Sequence, residues 1–323
     1  MKRLDYSLQG RFHGRRVAVV FGGMSSEREV SLRTGAAMAL GLRSRDYTVI
    51  EIDAGRDLPA RLIEARADVV LNALHGTYGE DGRIQGLLDW MDIPYTGDGL
   101  RACLLAMDKA LSKQFFRLSG VPVAEDVVLY RGRDVADLSE LSFGLPCVVK
   151  PVSEGSSVGV TIVRNAAAYG PAVKLAFEAC ESVLVEQFIE GPELSVATLV
   201  DQTLGSVEIE PVHAFYDYEA KYGNSGTRYH VPPRLQGDAL AAVERAAFLA
   251  HQALGCRGIT RTDVILGVAG PVVLEVNTLP GMTATSLVPK IAAGVGMPFG
   301  DLLEYMLDRA ACGPSTEGVI HGA

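Results

Sequence analysis

The chain has no long hydrophobic run. No apolar stretch approaches the roughly 18 consecutive residues that a membrane-spanning helix needs. The first sixteen residues carry five basic side chains but lack the apolar segment of a signal peptide. We therefore expect no membrane partner, and we interpret residues 1–14 as a flexible N-terminal extension.

Cysteine is scarce, and basic residues are not in excess. The five cysteines are scattered, odd in number and without CxxC spacing, which favours reduced thiols in a cytoplasmic protein. The formal net charge of −9 leaves no basic footprint for nucleic acid. With 48% hydrophobic and 21% charged residues, the composition is that of a globular enzyme, and 323 residues can hold roughly two or three domains.

A common nucleotide-binding fingerprint is missing from the first predicted strand and helix. The strand Arg16–Phe21 ends at two glycines and precedes a helix, but GxGxxG is absent there. Ser26 and Glu29 form a predicted capping box at the start of this helix. A polyphosphate in this place would face Glu27 and Glu29, so a nicotinamide-dependent oxidoreductase is disfavoured. Glu27 is instead a candidate to receive a substrate ammonium group, because the helix N-terminus stabilises its carboxylate.

The predicted elements change character along the chain. Residues 15–108 alternate strands and helices, which predicts an α/β domain with a doubly wound parallel sheet. From a predicted helix at 109–119, which Asp108 caps, the sequence becomes richer in strands. Residues 213–230 show no period and are predicted to form a long mobile loop. The predicted divisions after the first domain are a central lobe at 109–195, a C-terminal lobe at 196–312 and a flexible tail at 313–323.

Two polar strands near the C-terminus form the strongest candidate for a functional site. By simple alternation, Val273, Glu275 and Asn277 share one face of a strand at 273–277. The preceding strand, at 258–266, places Arg261 and Asp263 on one face. The turn-rich link between the two strands favours a hairpin.

This hairpin would bring two carboxylates together. Asp263 would lie opposite Glu275, with about 5 Å between their Cβ atoms. A hard cation would relieve the repulsion, and the oxygen atoms of Asp, Glu and Asn suit Mg²⁺. An ion pair between Asp263 and Arg261, or between Asp263 and a lysine, explains the same residues without a metal.

A glycine- and serine-rich turn follows Lys150. Gly155 and Gly159 allow backbone N–H groups to approach an anion, and Ser156 and Ser157 add hydroxyl donors. The segment resembles a flap that covers phosphates; it is not a Walker loop, because no GK[ST] follows. A plain hairpin turn is the alternative.

Three further side chains are candidates for binding. Glu186 and Glu193 flank a turn in the central lobe and could accept hydrogen bonds from the amino group and ribose of a nucleotide. Read alone, an acid in such a place is more often a solvated surface residue. His75 follows a predicted strand at its carboxyl end, where α/β domains bind ligands.

Together these segments resemble the D-alanine–D-alanine ligase family of the ATP-grasp superfamily over nearly all of residues 16–310. The motifs that carry the resemblance, in chain order, are FGG at 21–23, SE at 26–27, HG at 75–76, GEDG at 79–82, YTG at 95–97, MDK at 107–109, KP at 150–151, EGSSVG at 154–159, GPE at 191–193, YDYEAKY at 216–222, RTD at 261–263, EVNT at 275–278, PGMT at 280–283 and SLVP at 286–289. The chain differs from the family pattern at two positions: Asp98 stands where serine is common, and Pro233 stands where alanine is common.

The resemblance implies an activity and a fold. The activity is ATP-dependent ligation of two D-alanines through an acyl phosphate, which supplies D-alanyl-D-alanine for peptidoglycan and the cell wall. The fold is an N-terminal doubly wound domain followed by a two-lobed ATP-grasp unit. The family further implies a cytoplasmic homodimer that pairs through the N-terminal domain.

The resemblance also implies a role for each matching residue. Two Mg²⁺ ions, for which Mn²⁺ is an expected substitute, would be held by Asp263, Glu275 and Asn277. ATP would be bound by Lys109, Lys150, Ser157, Glu186, Glu193 and Lys221. The first D-alanine would contact Glu27 and His75, and the second carboxylate would contact Ser286 and Leu287. The catalytic set would be Glu27, Ser156, Tyr222, Arg261 and Gly281, with Arg261 and the Gly281 N–H on the oxyanion.

The loop at 213–230 would act as a lid in this scheme. Tyr222 would close onto Ser156, which in turn bonds Glu27. Enzymes that form D-alanine–D-lactate or D-alanine–D-serine are alternatives within the class, and Tyr222 favours D-alanine because lactate-forming relatives generally replace it. A nucleotide-binding protein without catalysis is disfavoured, since every metal and phosphate position is filled.

Overall fold

Three β-sheets organise the part of the chain that the structure describes. In this computed structural model those residues are 6–133, 138–153, 155, 158–210 and 226–313. One sheet is parallel and three-stranded, one has four strands, and one has five. Among the described residues, every helix is too short or too polar to cross a bilayer.

The parallel sheet belongs to the N-terminal domain. Its strands are β1 (Arg16–Phe21), β2 (Thr48–Asp53) and β3 (Val69–Asn72), in the order β2-β1-β3. Helices α1 (Arg28–Arg43) and α9 (Phe299–Asp308) cover one face, and α2 (Leu58–Ala65) and α3 (Arg83–Trp90) cover the other. Alternate residues of β1 enter the two cores, Val17 and Val19 one and Ala18 and Val20 the other. The predicted doubly wound sheet is confirmed.

The start of α1 differs from the prediction. The helix begins at Arg28, Glu27 occupies the N-cap position, and its side chain makes no capping bond. The predicted capping box is therefore wrong, and Ser26 and Glu29 are exposed. Ser25 explains the later start: its hydroxyl accepts from the Glu27 N–H at 3.2 Å and donates to the His75 carbonyl at 2.7 Å. This pair of bonds ties the loop before α1 to the loop after β3.

The described part of the N-terminal extension is docked, so the prediction of a flexible segment is wrong for residues 6–14. Asp308, at the end of α9, accepts the backbone N–H groups of Gln9 and Arg11 at 2.6 and 2.8 Å. Tyr6 donates to Asp301 at 2.7 Å, and Phe12 is buried in the core. The acidic face of α9 thus supplies the acceptors that these backbone groups need.

The four-stranded sheet forms the central part of the chain. It follows α4 (Leu100–Met107) and α5 (Lys109–Leu118), and Asp108 caps α5 as predicted by accepting from the Leu111 N–H at 2.9 Å. Its antiparallel order is β4-β7-β5-β6, and α6 (Tyr169–Ala179) packs on one face. The strands are β4 (Asp126–Tyr130), β5 (Cys147–Pro151), β6 (Thr161–Val163) and β7 (Ser182–Gln187).

The five-stranded sheet carries the hairpin. Its antiparallel order is β10-β9-β8-β11-β12. Helix α7 (Gly237–Leu254) packs on one face and α8 (Leu287–Gly294) on the other. The strands are β8 (Glu193–Thr198), β9 (Thr203–Glu210), β10 (Arg228–His230), β11 (Thr260–Gly267) and β12 (Gly270–Asn277).

Two predicted boundaries disagree with these strands. The division after residue 195 falls inside β8, because the five-stranded sheet begins at Glu193. The last three residues of the predicted loop 213–230 form β10, which pairs with β9 from Arg228 opposite Glu210 to His230 opposite Glu208. Residues 213–225, the greater part of that loop, lie outside the described residues.

A β-bulge in the hairpin changes the predicted faces of β12. Asp263 pairs with Glu275, but the next residue of β11, Val264, pairs with Val273, so Leu274 is an extra residue. Val273 consequently packs in the core beneath α7 and does not share a face with Glu275. The expected common face of Val273, Glu275 and Asn277 is therefore wrong for Val273.

Asp98 fixes the turn that leads into β11. One carboxylate oxygen accepts the backbone N–H groups of Arg257 and Gly258, at 2.5 and 2.8 Å. The carboxyl group is buried, and burial raises its pKa in spite of these bonds. Asp98, which stands where serine is common in the family, therefore anchors the N-terminal domain to the strand that carries Arg261 and Asp263.

Candidate active site

A cavity of about 160 Å³ lies where α1, the loop after β3, the start of α5, the β11–β12 hairpin and the start of α8 meet. Ten of the predicted site residues line it, although they are spread over some 260 positions of sequence (27 to 287). They are Glu27, His75, Lys109, Arg261, Asp263, Glu275, Asn277, Gly281, Ser286 and Leu287.

The two hairpin carboxylates are each neutralised by a cation. Asp263 and Glu275 are direct partners in the ladder, as predicted. The Arg261 guanidinium donates two hydrogen bonds to the Asp263 carboxylate, from Nε and from Nη2, each at 2.9 Å. The Ser195 hydroxyl donates to the same carboxylate at 2.5 Å. Lys109 Nζ lies 3.3 Å from a Glu275 oxygen. The ion pair that was the alternative to a metal is therefore present in this structure.

The donor set at the same edge also fits a hard cation. Asn277 pairs with Arg261 in the ladder, so its amide projects beside the two carboxylates. Its Oδ1 accepts from the Leu279 N–H at 2.8 Å, which fixes the amide oxygen in place. Within the described residues no three His, Cys, Asp or Glu side chains form a metal cluster. Two carboxylates and an amide, which are oxygen donors only, are the set that Mg²⁺ accepts.

His75 is held at both ring nitrogens. Nδ1 lies 3.1 Å from a Glu80 oxygen, and Nε2 lies 3.1 Å from the Thr34 hydroxyl. Because a carboxylate only accepts, Nδ1 is the donor to Glu80, and the contact with Thr34 holds the other edge of the ring. The buried ring is thus fixed at the cavity wall near Glu27.

Glycines allow backbone to approach the Glu27 carboxylate. A Cβ on Gly76 would lie 2.9 Å from a Glu27 oxygen, and a Cβ on Gly155 would lie 3.4 Å from the other. Gly155 belongs to the predicted phosphate-covering turn after Lys150. Gly155 therefore lies close to the start of α1 at the wall of the cavity.

The opposite wall is built by the turn before α8. Ser286 Oγ accepts from the Thr283 N–H at 3.0 Å and lies 2.8 Å from the Thr283 hydroxyl. Ser286 occupies the N-cap position of α8, and Leu287 is its first helical residue, so its N–H is among those that lack an intrahelical acceptor. A Cβ on Gly281 would lie 2.9 Å from Ser286 Oγ. Only a residue without a side chain leaves this hydroxyl in place.

Three predicted nucleotide-binding residues do not line the cavity. Lys150 and Glu186 are paired across β5 and β7, and both are buried. Interpreting Glu186 as a solvated surface acid is therefore wrong. Burial opposes its ionisation, but the Lys150 and Lys113 ammonium groups outweigh burial and lower the pKa of Glu186. Glu193 opens β8 and is half-buried.

Sequence reasoning missed Lys113, Glu80 and Thr283. Glu80 lies inside the GEDG motif, and its spacing of five residues from His75 in a tight loop was the available signal. Thr283 closes the PGMT motif in the same way. Lys113 had one signal only, its position one helical turn after Lys109. Of the predicted site residues, Ser156, Ser157, Lys221 and Tyr222 lie outside the described residues.

The architecture defines the class of protein. A parallel α/β domain followed by two antiparallel sheets, with lysines and acids facing one another, is the ATP-grasp arrangement. The chain matches the family description "D-ala D-ala ligase N-terminus" over residues 58–98 and "D-ala D-ala ligase C-terminus" over residues 115–308. The chain belongs to the D-alanine–D-alanine ligase family.

Individual relatives agree with this assignment. A D-alanine–D-alanine ligase of Anaeromyxobacter sp. (strain Fw109-5) is 52% identical over 94% of this chain and 99% of its own length. The D-alanine–D-alanine ligase of Bacillus anthracis complexed with ATP superposes with a TM-score of 0.81 at 31% identity, covering 91% of this chain and 97% of that one. The VanG D-Ala:D-Ser ligase of Enterococcus faecalis gives 0.79 at 29% identity, covering 91% and 99%.

Proposed function

We propose that this chain joins two molecules of D-alanine into D-alanyl-D-alanine, with cleavage of ATP to ADP and phosphate, for peptidoglycan synthesis. The observation that carries the proposal is the single cavity that gathers Lys109, Arg261, Asp263, Glu275 and the Gly281 turn, in a member of this ligase family. The cavity combines oxygen donors that suit Mg²⁺ with the start of α8, where a carboxylate can be bound.

The nucleotide would lie between the four-stranded and five-stranded sheets. Lys109 and Lys150 would contact its phosphates, Glu186 its adenine amino group and Glu193 its ribose, with Ser157 added from the turn. Two Mg²⁺ ions, or Mn²⁺ in their place, would be held by Asp263, Glu275 and Asn277. When bound, they would neutralise charge on the phosphates. Arg261 would then be released from Asp263 toward the reacting carbonyl.

The first substrate would be activated at the cavity wall. Its ammonium group would rest against Glu27 beside His75. A carboxylate oxygen attacks the γ-phosphorus, the bond from phosphorus to the ADP oxygen breaks, and an acyl phosphate forms. Lys109, freed from Glu275, stabilises the transferring phosphoryl group.

The second substrate would complete the bond. Its free amine attacks the acyl carbon, and Arg261 with the Gly281 N–H donates to the resulting oxyanion. The C–O bond to phosphate then breaks, the nitrogen gives its extra proton to the leaving phosphate, and the dipeptide forms. Ser286 and the Leu287 N–H would hold the second carboxylate at the start of α8.

Water must be kept from the acyl phosphate while it exists. We assign this task to the predicted loop up to the start of β10, residues 213–227, in which Tyr222 would close onto Ser156 and Lys221 would reach the γ-phosphate. The proposed lobes are the N-terminal α/β domain, the four-stranded sheet and the five-stranded sheet, with the division between the sheets moved to the link before Glu193. We further propose a homodimer that pairs through the N-terminal domain.

D-Serine is the second candidate for the second substrate. The VanG relative joins D-alanine to D-serine according to its name, and it shares this fold. D-Alanine is favoured here, because relatives at about half identity over nearly the whole chain are D-alanine–D-alanine ligases.

A competition assay tests both readings. Purified protein with ATP, Mg²⁺ and D-alanine should release one ADP per dipeptide. An equal concentration of D-serine or D-lactate should divert only a small share of the product. Release of ADP without dipeptide, or a mixed product in excess, would refute the proposal.

A further inference from the structure

A buried ionic network lies behind the proposed nucleotide site. Lys113 Nζ on α5 lies 2.8 Å from one Glu186 oxygen and 3.0 Å from Asp126 on β4. The other Glu186 oxygen contacts Lys150. The Lys113 side chain is 1% exposed and that of Glu186 is 6% exposed. The cavity does not include Lys113, and no step of the reaction above uses it.

The network contains three cations and two carboxylates, and Lys113 is the cation that the two carboxylates share. Lys113 contacts both Glu186 and Asp126, and Lys150 contacts Glu186. Arg117 contacts Asp126 from the more exposed side. In the proposed function Lys150 turns from Glu186 to a nucleotide phosphate. Glu186 would then be a buried carboxylate with a single cation, Lys113. Without that cation it would favour the protonated form, which is a poorer acceptor for an amino group.

Helix α5 connects this network to the reacting end of the site. Lys109 and Lys113 are four residues apart and lie on the same side of the helix. Lys109 contacts Glu275 of the five-stranded sheet, and Lys113 contacts Glu186 of the four-stranded sheet. One helix therefore sets two lysines against acids of two different sheets.

We propose that Lys113 is a positioning residue for the nucleotide: it holds Glu186 ionised and oriented toward the adenine amino group when Lys150 moves to phosphate. This inference rests on the proposed function. It assigns Lys113 a role in recognising the purine and none in the chemical steps. Its effect should therefore appear in KM for ATP and in the choice of base, with kcat little changed.

The test compares ATP with purine riboside triphosphate, which is ATP without the 6-amino group. The wild-type protein should prefer ATP in kcat/KM by roughly ten- to a hundredfold, the value of one hydrogen bond to a charged acceptor. Lys113→Met should raise KM for ATP about tenfold, leave kcat within about threefold, and reduce the preference to about threefold or less. Lys113→Arg, which keeps the charge, should retain most of the preference. Lys174→Met, at an exposed lysine of α6, is the matched control and should behave as wild type.

A double variant separates an effect on nucleotide recognition from a loss of folding. Lys113→Met removes a buried cation that Glu186 and Asp126 share, which lowers stability, whereas Lys113→Met with Glu186→Gln removes both partners of the Lys113–Glu186 pair. If Lys113 acts through Glu186, this double variant should match Glu186→Gln alone in KM and in base preference. A further tenfold loss in the double variant, or an undiminished preference for ATP in Lys113→Met, would overturn the inference.

The outcomes separate the inference from the function on which it rests. A wild-type protein that makes no dipeptide from ATP refutes the proposed function. A protein that ligates D-alanine but accepts both nucleotides equally refutes the Glu186 contact, and with it the role of Lys113. A protein that ligates, prefers ATP and keeps that preference in Lys113→Met refutes Lys113 alone.

Discussion

Asp263 and Glu275 are direct neighbours across the β11–β12 ladder, and each is held by a different cation, Arg261 and Lys109. In the proposed reaction Arg261 donates to the oxyanion, and Lys109 contacts the phosphates. The metal ions would replace them at the carboxylates. The hairpin is thus a set of acids whose counter-charges are exchanged as the nucleotide binds.

Removing one acid should raise the requirement for metal. Glu275→Gln leaves an amide that binds Mg²⁺ weakly, so kcat should fall at least about a hundredfold, as expected when a large electrostatic contribution is lost. The Mg²⁺ concentration for half-maximal activity should also rise. Glu181→Gln, in which the side chain is 82% exposed, is the matched control. Equal Mg²⁺ dependence in Glu275→Gln and wild type would count against the metal assignment.

Gly281 is predicted to tolerate no side chain. In Gly281→Ala the new Cβ would lie 2.9 Å from Ser286 Oγ, so the Ser286 side chain must move. KM for the second D-alanine should rise about tenfold or more, because the hydroxyl proposed to bind its carboxylate is displaced. Gly170→Ala is the control, since a Cβ there meets nothing within 4 Å. A crystal structure of Gly281→Ala with Ser286 unmoved and KM unchanged would contradict this assignment.

The docked N-terminal segment should contribute to stability and not to catalysis. Asp308→Asn removes one of the two carboxylate oxygens that accept from Gln9 and Arg11. We expect the free energy of unfolding to fall by about 1–2 kcal/mol, with faster proteolysis near residue 10 and kcat within about twofold. Asp46→Asn, at an exposed residue whose φ of 61° asparagine also adopts, is the control. Unchanged proteolysis in Asp308→Asn would show that the segment is held by other contacts.

The Arg16–Asp68 pair should make stability depend on acid pH. The Arg16 guanidinium and then its backbone N–H lower the pKa of Asp68 from 3.8 to about 2. Because the folded-state pKa is the lower one, the stabilisation is present above about pH 4 and is lost as the pH falls toward 2. Solvent screens this pair, whose Asp68 side chain is 24% exposed, so Asp68→Asn should cost about 1 kcal/mol at pH 7. Denaturant unfolding at pH 7 and pH 2 should show most of that cost lost at pH 2; an equal cost at both would exclude the pair as its source.

Local patterns predicted much of the fold and the hairpin. The succession of strands and helices over residues 15–108 predicted the parallel sheet that contains Arg16–Phe21, and the spacing of Asp263 and Glu275 about a turn-rich link predicted their pairing. The bulge at Leu274 was not predictable in this way, because simple alternation contains no signal for an extra residue. The later start of α1 depends on the His75 carbonyl, which lies in another loop.

Most of the features that the sequence did not predict depend on contacts between residues that are far apart in the chain. The acceptors that dock residues 6–14 lie almost 300 positions away, on α9, so a basic and polar segment read alone looked flexible. Glu186 looked like a surface acid because neither Lys113 nor Lys150 is near it in sequence. The resemblance to a family named the site residues, and the geometry added Lys113 and Glu80 to them.

The most direct test of the account follows one oxygen atom. D-Alanine labelled with ¹⁸O in its carboxylate is supplied with ATP and Mg²⁺, and the released phosphate is examined by mass spectrometry or ³¹P NMR. If the carboxylate attacks the γ-phosphorus and phosphate leaves from the acyl carbon, each phosphate made with a dipeptide carries one labelled oxygen. Phosphate without label, in the presence of dipeptide, would contradict the acyl-phosphate route at this site.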